Sequence, residues 1–408
     1  MNSTVFIPTK SQEETIKQGI DWFRNGSEQV FEIDGQAGTG KSVVLYEIVK
    51  QLGLEPFEVM PMAYTGQASI VMRMKGFPNA KSIHSSLYHL EKVSVDDAKE
   101  DIDTMNTLYN TKNTVLKFVP LKRGQISKAV KLMVVDEGRM VPRNMRDTIL
   151  QHGIKVLVAG DAGQLPPIAD EPAFLTGYNI HHLNEIMRQK QDDPILYIAN
   201  RARHGLPIHN GLYGRNVLVC NDDEITDDML LSIRNVICGT NKSRQIFNNR
   251  VRELLGYSNL PIPAVGERVI CRNNNWDTEV ANIALTNGLS GIVTYPITPN
   301  HFVNKNTFLM TFLPDLLNQE FINIPVDYEY LLSDLDRRAQ IKNSKYNHGN
   351  LFEYAYALTT HLAQGAEYPC GIYYEEFLRP NIQNQLNYTG ITRFKEFLIY
   401  AKRKRRFY

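Results

Sequence analysis

The sequence lacks the features that define several protein classes. No apolar run approaches the ~20 residues of a membrane span, and residues 1–10 lack a basic segment followed by an apolar one. We therefore expect a cytoplasmic protein. The cysteines Cys220, Cys238, Cys271 and Cys370 lie far apart with no C-x-x-C pair, so neither a zinc site nor a disulfide framework is predicted.

Charge and composition give little direction. The 45 basic and 44 acidic residues leave a net charge of +1, which neither requires nor excludes nucleic acid because charges of opposite sign can occupy different faces. A hydrophobic content of 43% is typical of a globular protein, and 408 residues predict about two to three domains. The basic run KRKRR at 402–406 fits a solvated chain end and a nucleic-acid contact equally well.

The most informative segment, residues 35–42, reads GQAGTGKS, which matches the phosphate-binding loop G-x-x-x-x-G-K-[ST]. It lies between a strand-like run and a helix-like stretch, and this context favours a nucleotide site over a glycine turn that binds nothing. Glycine lets backbone N–H groups close around phosphates, Lys41 adds a positive charge, and Ser42 can ligate Mg²⁺. The predicted nucleotide-binding residues are Gly35, Gly38, Thr39, Gly40, Lys41 and Ser42.

The first half of the chain alternates strand-like runs with helix-like stretches. The runs 30–33, 59–63, 132–135 and 155–159 are each followed by a polar or glycine-containing turn. This alternation predicts an α/β fold with parallel strands, whose carboxyl ends form the ligand site. A charged stretch with scattered aromatic residues at 87–128 interrupts the pattern and predicts a protruding arm.

The second half changes character twice. Helical patterns dominate residues 184–256, apart from the strand-like VICG, and GERVICR and NGLSGIVTY then predict small antiparallel β structure to about residue 330. The α/β pattern returns at residue 354.

Two further segments predict chemistry. The run LMVVDE places Asp136 and Glu137 at the end of a strand, where Asp136 can hold Mg²⁺ through water and Glu137 can polarise an attacking water. Tandem acids also occur there by chance, but their position after the phosphate loop favours function. In VLVAGDAGQLPP, we expect Gln164 to sense the γ-phosphate, with a proline-fixed turn as the alternative.

Six segments in order resemble the motifs of superfamily 1 helicases: GQAGTGKS, DEGRM, GDAGQLPP, LNEIMRQ, ALTTHLAQGAE and YTGITR. The GDxxQLPP form and a β insertion before the fifth motif are similar to the type B, RecD-like branch, and the compact length is most like a phage member. The resemblance covers essentially the whole chain. It implies two RecA-like domains, ATP and Mg²⁺ in the cleft between them, and 5′ to 3′ movement on single-stranded DNA, in the host cytoplasm if the protein is phage-encoded.

The resemblance also implies a domain organisation. We expect a first RecA-like domain at 1–86 and 129–182, interrupted by an arm or pin insertion at 87–128. We expect a second RecA-like domain at 183–264 and 352–408, interrupted by an SH3-like β insertion at 265–351.

Several ATP-site residues follow from the resemblance alone. Gln12 is similar to an adenine-reading glutamine. Arg188 and Arg393 correspond to the arginines that reach the γ-phosphate from the second domain, a role that suits cations able to withdraw when a cleft opens. Gln364 and Glu367 match positions that couple nucleotide to DNA, with Glu367 on the ribose.

The resemblance also assigns a DNA path, along which hydroxyl, imidazole and N–H groups hold phosphates without reading bases. Its expected residues are Tyr64, Thr65, Gly66, Ser82, His84, Asn241, Thr360 and His361. In the arm, Phe118 or Tyr109 is the aromatic candidate for stacking on a duplex junction, with a place in the core as the alternative for Phe118. The chain departs from the family pattern at Arg139, Tyr64 and Leu362, which affects the expected DNA grip and coupling more than ATP hydrolysis.

The leading hypothesis is therefore an ATP-driven DNA helicase of replication or repair. Its expected partners are single-stranded DNA, duplex junctions and single-strand-binding or replisome proteins; we expect a monomer without a membrane partner. An RNA-directed or protein-remodelling ATPase without strong unwinding is the alternative, because motor motifs do not report tolerance of the 2′-OH. A non-catalytic interaction subunit is disfavoured because Lys41, Glu137 and Arg393 are all retained.

Overall fold

The computed structural model describes residues 6–94, 108–111, 114–167, 170–177, 179–187, 192–342 and 348–404. The α-helices of this part, in chain order, are α1 (Lys10–Asn25), α2 (Lys41–Leu52), α3 (Gly66–Met74), α4 (Ile83–Leu87), α5 (Arg143–Leu150), α6 (Pro194–Arg203), α7 (Asp227–Ile233), α8 (Asn241–Leu254), α9 (Tyr328–Leu332), α10 (Leu335–Lys342) and α11 (Gln383–Ile391).

The strands of the first half are β1 (Val30–Gly35), β2 (Val59–Ala63), β3 (Lys81–Ser82), β4 (Tyr88–Ser94), β5 (Leu108–Thr111), β6 (Thr114–Pro120), β7 (Leu132–Asp136), β8 (Lys155–Gly160) and β9 (Ile180–Leu183). Those of the second half are β10 (Gly211–Tyr213), β11 (Val217–Asn221), β12 (Val236–Cys238), β13 (Arg268–Cys271), β14 (Asn275–Val280), β15 (Ile283–Leu285), β16 (Ser290–Val293), β17 (Phe302–Asn304), β18 (Thr307–Pro314), β19 (Phe321–Asp327), β20 (Phe352–Tyr354), β21 (Ala357–Thr359), β22 (Tyr368–Tyr374) and β23 (Phe394–Lys402).

The first sheet has the order β3-β2-β7-β8-β1-β9, and its neighbouring strands are parallel. Its central strands are almost wholly buried, as their β-branched and apolar sequences require. Because the strands run in one direction, the segments that follow β1, β7 and β8 meet at one edge. We call this sheet with α1, α2, α3 and α5 the first unit.

The second sheet has the order β10-β11-β23-β22-β12-β21. Its pairs are parallel except β10 with β11. Helices α6 and α11 pack against each other, and buried side chains of both join the core formed with β22 and β23. We call this sheet with α6, α7, α8 and α11 the second unit.

Antiparallel structure lies within residues 88–120 and 268–354, the second range extending past the predicted bound at 351. Strands β4, β6 and β5 form one small sheet, and β17-β18-β16-β13-β20 with β19 beside β18 form another. Strands β14 and β15 form a separate hairpin whose turn residues Ala281 and Asn282 have φ of 53° and 57°, as in a type I′ turn. Arg73 of α3 donates to the carbonyls of both turn residues, at 2.5 and 3.0 Å, so the hairpin rests on the first unit.

The predicted α/β class is confirmed, and the four strand-like runs of the first half are strands of the first sheet. The mainly helical prediction for 184–256 was partly wrong, because β10 and β11 lie there in addition to the expected strand at 236–238. A short apolar run such as VLVC does not distinguish a strand from a buried helix turn by itself.

Candidate active site

The phosphate loop at 35–42 turns tightly between β1 and α2. Gly38 and Gly40 have φ of 86° and 79°, left-handed values that favour glycine. A Cβ at Gly40 would lie 2.6 Å from Nε2 of Gln12, so a side chain does not fit there. Helix α2 begins at Lys41, and its first N–H groups and positive dipole end face the loop and suit an anion.

Lys41 curls inside the loop. Its Nζ donates to the carbonyl of Gly35 at 2.5 Å and to that of Gln36 at 3.3 Å. A phosphate oxygen would be a stronger acceptor than either carbonyl, because its negative charge adds a Coulombic attraction to the ammonium. The loop therefore fits the phosphates of a nucleoside triphosphate.

Ser42 and Asp136 meet at the carboxyl edge of the first sheet. The Ser42 hydroxyl donates to Oδ2 of Asp136 at 3.2 Å, and Oδ1 of the same carboxylate accepts from the backbone N–H of Glu137 at 2.9 Å. A hydroxyl and a carboxylate are the hard oxygen ligands that Mg²⁺ prefers. These two residues therefore fit a magnesium ion beside the loop.

Glu137 is placed and tuned as a base. It follows β7 with φ of 56°, and burial raises its pKa, an effect that nearby Arg393 opposes and Asp136 reinforces. Its Oε2 is buried and accepts no hydrogen bond from the described residues. A carboxylate with an open acceptor and a raised pKa suits the activation of a water molecule.

Arg393 reaches the site from the second unit. Its guanidinium donates to the carbonyls of Thr389 at 3.1 Å and Ala366 at 3.3 Å, and its Nη1 lies 3.9 Å from Oε1 of Glu137. The same Glu137 carboxylate interacts electrostatically with Lys41. The structure therefore brings Lys41, Glu137 and Arg393 to one cleft between the units. Arg188, the second predicted arginine, lies outside the described residues.

Gln164 lies in a turn that the second unit holds. The residue is buried, and its Oε1 has no hydrogen-bond partner among the described residues. Next to it, the N–H of Leu165 donates to the Thr389 hydroxyl at 3.0 Å, and the Leu165 carbonyl accepts from Gln364 Nε2 at 3.1 Å. The turn after β8, which belongs to the first unit, is thus held by contacts with the second unit.

Gln12 does not have the expected environment of a base-reading residue. Its side chain is fully buried; Nε2 donates to the Thr39 carbonyl at 2.8 Å, and Oε1 accepts from the Thr9 N–H at 2.9 Å. Thr9 caps α1 and completes this capping box. Both ends of the amide are therefore occupied, and Gln12 supports the phosphate loop from behind.

Glu367, which the resemblance places on the ribose, forms ion pairs with both units. Its carboxylate pairs with Lys75 of the first unit at 2.9 Å and with Lys395 of the second at 3.4 Å. Burial alone would raise its pKa, but the two lysines outweigh burial and lower the pKa to about 2. Glu367 is therefore an ion-pair partner between the units.

The predicted DNA residues of the first unit occupy the starts of two helices. Thr65 caps α3 and accepts from the Ala68 N–H at 3.1 Å, and half-buried Tyr64 packs against the core of the first sheet. Ser82 is buried and caps α4, where its hydroxyl accepts from the Ser85 N–H at 3.1 Å. The DNA contact predicted for the Ser82 hydroxyl does not fit this burial, because only 6% of the residue is exposed.

Phe118 is not the exposed stacking residue that we expected. Only 7% of its surface is exposed, and its ring centroid lies 5.2 Å from that of His84, 6.2 Å from Tyr88 and 5.3 Å from Trp276 of the hairpin. The β insertion therefore covers the base of the arm at Phe118. The side chain of Tyr109, the other candidate, lies outside the description.

The predicted DNA residues of the second unit divide into buried and accessible ones. Thr360 is fully buried and donates to the Cys238 carbonyl at 3.2 Å, so the phosphate contact predicted for it was wrong. His361 is half-buried, and burial lowers its pKa. Asn241 is exposed in the first turn of α8. The accessible DNA candidates of this unit are therefore Asn241 and His361.

A family model described as an AAA domain matches residues 10–216, just over half of the 408 residues. The chain belongs to the AAA domain family. The DNA replication ATP-dependent helicase/nuclease DNA2 of Saccharomyces cerevisiae is 22% identical over 243 residues. That match covers 55% of this AAA-domain chain but only 16% of the yeast protein.

Solved structures of Pif1 helicases share the fold of this AAA-domain protein. A structure of two coordinating Pif1 helicases at forked double-stranded DNA aligns with a TM-score of 0.54 and 16% identity, over 97% of this chain and 92% of that one. Bacteroides Pif1 bound to single-stranded DNA gives 0.53 and 18%, with the same coverage. The Candida albicans Pif1 helicase gives 0.51 and 17%, over 97% and 94%. The two-sheet α/β fold that the resemblance implied is thereby confirmed.

Several residues of this AAA-domain protein's cleft were missed by the sequence analysis. Tyr388 and Asp161 lie within the quoted motifs YTGITR and GDAGQLPP, so their motif membership was a usable signal. Lys75 and Trp276 gave no signal, because only the fold brings them to Glu367 and Phe118.

Within the described ranges, none of the helices combines the length and apolar character of a membrane span.

Proposed function

We propose that this protein is an ATP-dependent DNA helicase that moves 5′ to 3′ along single-stranded DNA and separates duplexes. One observation carries the proposal: Arg393 of the second unit lies 3.9 Å from Glu137 of the first, beside the phosphate loop. A triphosphate bound there would touch both units, so its hydrolysis would change how they hold each other.

The residues divide the hydrolysis between them. The loop N–H groups and Lys41 bind the phosphates, and Glu137 accepts a proton from the attacking water. Ser42 and Asp136 would hold Mg²⁺, which supplies charge neutralisation at the phosphate oxygens when bound. Arg393 stabilises the charge on the transferred phosphoryl group, and Gln164 lies where it can respond to that group.

We place the DNA path over the starts of α3, α4 and α8 and over the turn that follows β21. Thr65 and His84 on the first unit, and Asn241 and His361 on the second, can hold a backbone without reading bases. If the units alternate their hold as the cleft opens and closes, the strand advances. The three-stranded arm, supported by Trp276 at Phe118, would meet the duplex ahead of the motor.

The proposed domains follow the four-part division predicted from the sequence, with RecA-like domains around the two parallel sheets and insertions around the antiparallel ones. We further propose that the protein acts as a monomer in the cytoplasm, with single-strand-binding or replisome proteins as its partners.

The test is ATP hydrolysis with and without single-stranded oligonucleotides of DNA and RNA. We expect stimulation by DNA and loss of turnover in Lys41→Ala. Lys50→Ala is the matched control, because Lys50 lies on the same helix and is exposed. Absence of DNA stimulation would sink the proposal, and equal or stronger stimulation by RNA would replace it with an RNA-directed ATPase.

Polarity needs a separate substrate set. Duplexes with a 5′ tail or a 3′ tail of equal length are offered with ATP, and we expect separation of the 5′-tailed one. Unwinding of only the 3′-tailed duplex would overturn the proposed direction.

A further inference from the structure

The Tyr388 hydroxyl bridges the two units at the phosphate loop. The N–H of Ala37, within the loop, donates to Oη of Tyr388 at 2.8 Å, and the Tyr388 hydroxyl donates to Oδ2 of Asp161 at 2.5 Å. Tyr388 belongs to α11 of the second unit, and only 2% of its surface is exposed. One hydroxyl therefore holds the loop after β1 and the turn after β8 together.

Asp161 is fixed by both units. Its carboxylate is fully buried, and Oδ1 accepts from the Gly163 N–H at 2.9 Å and from Arg203 of α6 at 3.1 Å. The guanidinium carbon of Arg203 lies 5.3 Å from the centroid of the Tyr388 ring, within the range of a cation–π contact. Water does not readily replace such buried contacts when they break.

The direction of the two hydrogen bonds is defined. Burial raises the pKa of Tyr388, and the neighbouring Asp161 carboxylate raises it further. The phenol therefore stays protonated. Its O–H donates a hydrogen bond to Asp161, and its oxygen accepts one from the Ala37 N–H.

The segment from α11 to Arg393 carries several contacts to the first unit. Tyr388 holds Ala37 and Asp161, Thr389 accepts from Leu165, and Arg393 approaches Glu137. Any movement of α11 away from the first unit breaks these contacts together. The loop contact at Ala37 is the one that touches nucleotide-binding backbone.

We propose that Tyr388 is a positioning residue that couples the geometry of the phosphate loop to closure of the cleft. It holds the loop while the units are together and releases it when α11 withdraws, so product release is linked to opening. This inference rests on the proposed function for its role in turnover. The tether itself is independent of turnover.

The test compares Tyr388→Phe with Tyr373→Phe. Tyr373 is also fully buried beside α11, but its hydroxyl donates to Asn387 at 2.9 Å within the second unit. Each variant loses one buried hydroxyl, and only the first loses a contact between the units. A general loss of packing or stability would affect both.

Two readouts are measured on the full chain. In hydrogen–deuterium exchange without nucleotide, we expect the Ala37 amide to exchange about tenfold faster in Tyr388→Phe than in the wild type. Its exchange rate should be unchanged in Tyr373→Phe, because the Ala37 amide loses its acceptor only in Tyr388→Phe. In hydrolysis with saturating single-stranded DNA, we expect Tyr388→Phe to lower kcat about tenfold while KM for ATP changes by less than about threefold.

Each outcome decides a different point. If Ala37 exchange is unchanged in Tyr388→Phe, Tyr388 does not hold the loop. If both variants lose kcat equally, Tyr388 has only a structural role. If the wild-type protein shows no DNA-stimulated hydrolysis, the proposed function fails, while the exchange result still decides the tether.

Discussion

Nη1 of Arg393 lies 3.9 Å from Oε1 of Glu137, although the two residues belong to different parallel sheets. The cation is held by carbonyls of its own unit, so it is oriented before any nucleotide arrives. Only 19% of the Glu137 side chain is exposed, so water screens the charge of Arg393 opposite it poorly. This pair defines where the two units share one reaction site.

Arg393→Ala should lower kcat for ATP hydrolysis about 10³-fold, because the transferred phosphoryl group loses its cation from the second unit. Steady-state hydrolysis with saturating single-stranded DNA measures it. Arg250→Ala is the control, since Arg250 lies on the surface and pairs with Asp227 and Glu253. A variant that keeps more than a tenth of the wild-type rate would contradict the role of Arg393.

Glu137→Gln should keep nucleotide binding and lower kcat about 10²- to 10⁴-fold, because an amide does not accept the proton of the attacking water. Burial raises the pKa of Glu137, and the residue must be deprotonated to act. Wild-type kcat/KM, which reports the groups of the free enzyme, should therefore fall on acidification at a pH above the ordinary carboxyl value of 4.5. An acid limb at or below 4.5 would argue against Glu137 as the base, and exposed Glu171→Gln should leave the profile unchanged.

Gln12→Ala should raise KM for ATP and for GTP by similar factors, because the buried amide supports the Thr39 carbonyl and does not read the base. The ratio of kcat/KM for the two nucleotides measures this. A loss confined to ATP would restore the base-reading role implied by the resemblance. Gln18→Ala, on the same helix at an exposed position, serves as the control.

Glu353 should make stability depend on acid. Burial alone would raise its pKa, but Arg272, Arg244 and Arg338 outweigh burial and lower it to about 2. The carboxylate therefore contributes roughly 3 kcal/mol above pH 4.5, which is lost as pH falls from 4.5 through about 2. Urea midpoints of wild type and Glu353→Gln should differ most near pH 7 and converge on acidification. A pH-independent difference would show that charge is not the cause.

The nucleotide site was the most predictable part of the molecule. The loop at 35–42 and the Asp136–Glu137 pair are local patterns whose geometry follows from a strand, a turn and a helix start. The first parallel sheet was predictable because β2, β7 and β8 are nearly continuous apolar runs, whereas β11 of the second sheet was missed. Arg393 needed the resemblance, since a lone arginine after a helix carries no signal.

The errors have a common physical cause. Thr360, Ser82 and Phe118 have side chains that suit DNA contact, but their exposure depends on packing from distant segments. Phe118 is covered by Trp276, and Thr360 donates to Cys238. A local sequence pattern does not indicate whether a distant segment buries a side chain. Motif spacing indicates only which residues lie at the same strand end.

The second sheet has a consequence for how this chain is made. Strand β12 ends at Cys238, but its neighbours β21 and β22 begin only at Ala357 and Tyr368. Strand β11 likewise pairs with β23, which begins at Phe394. On the ribosome, β11 and β12 must therefore persist with unpaired edges until the last segment emerges, a state that favours aggregation. Slow translation or early termination between 240 and 350 should thus trap insoluble nascent protein, and chaperone demand should peak in that interval.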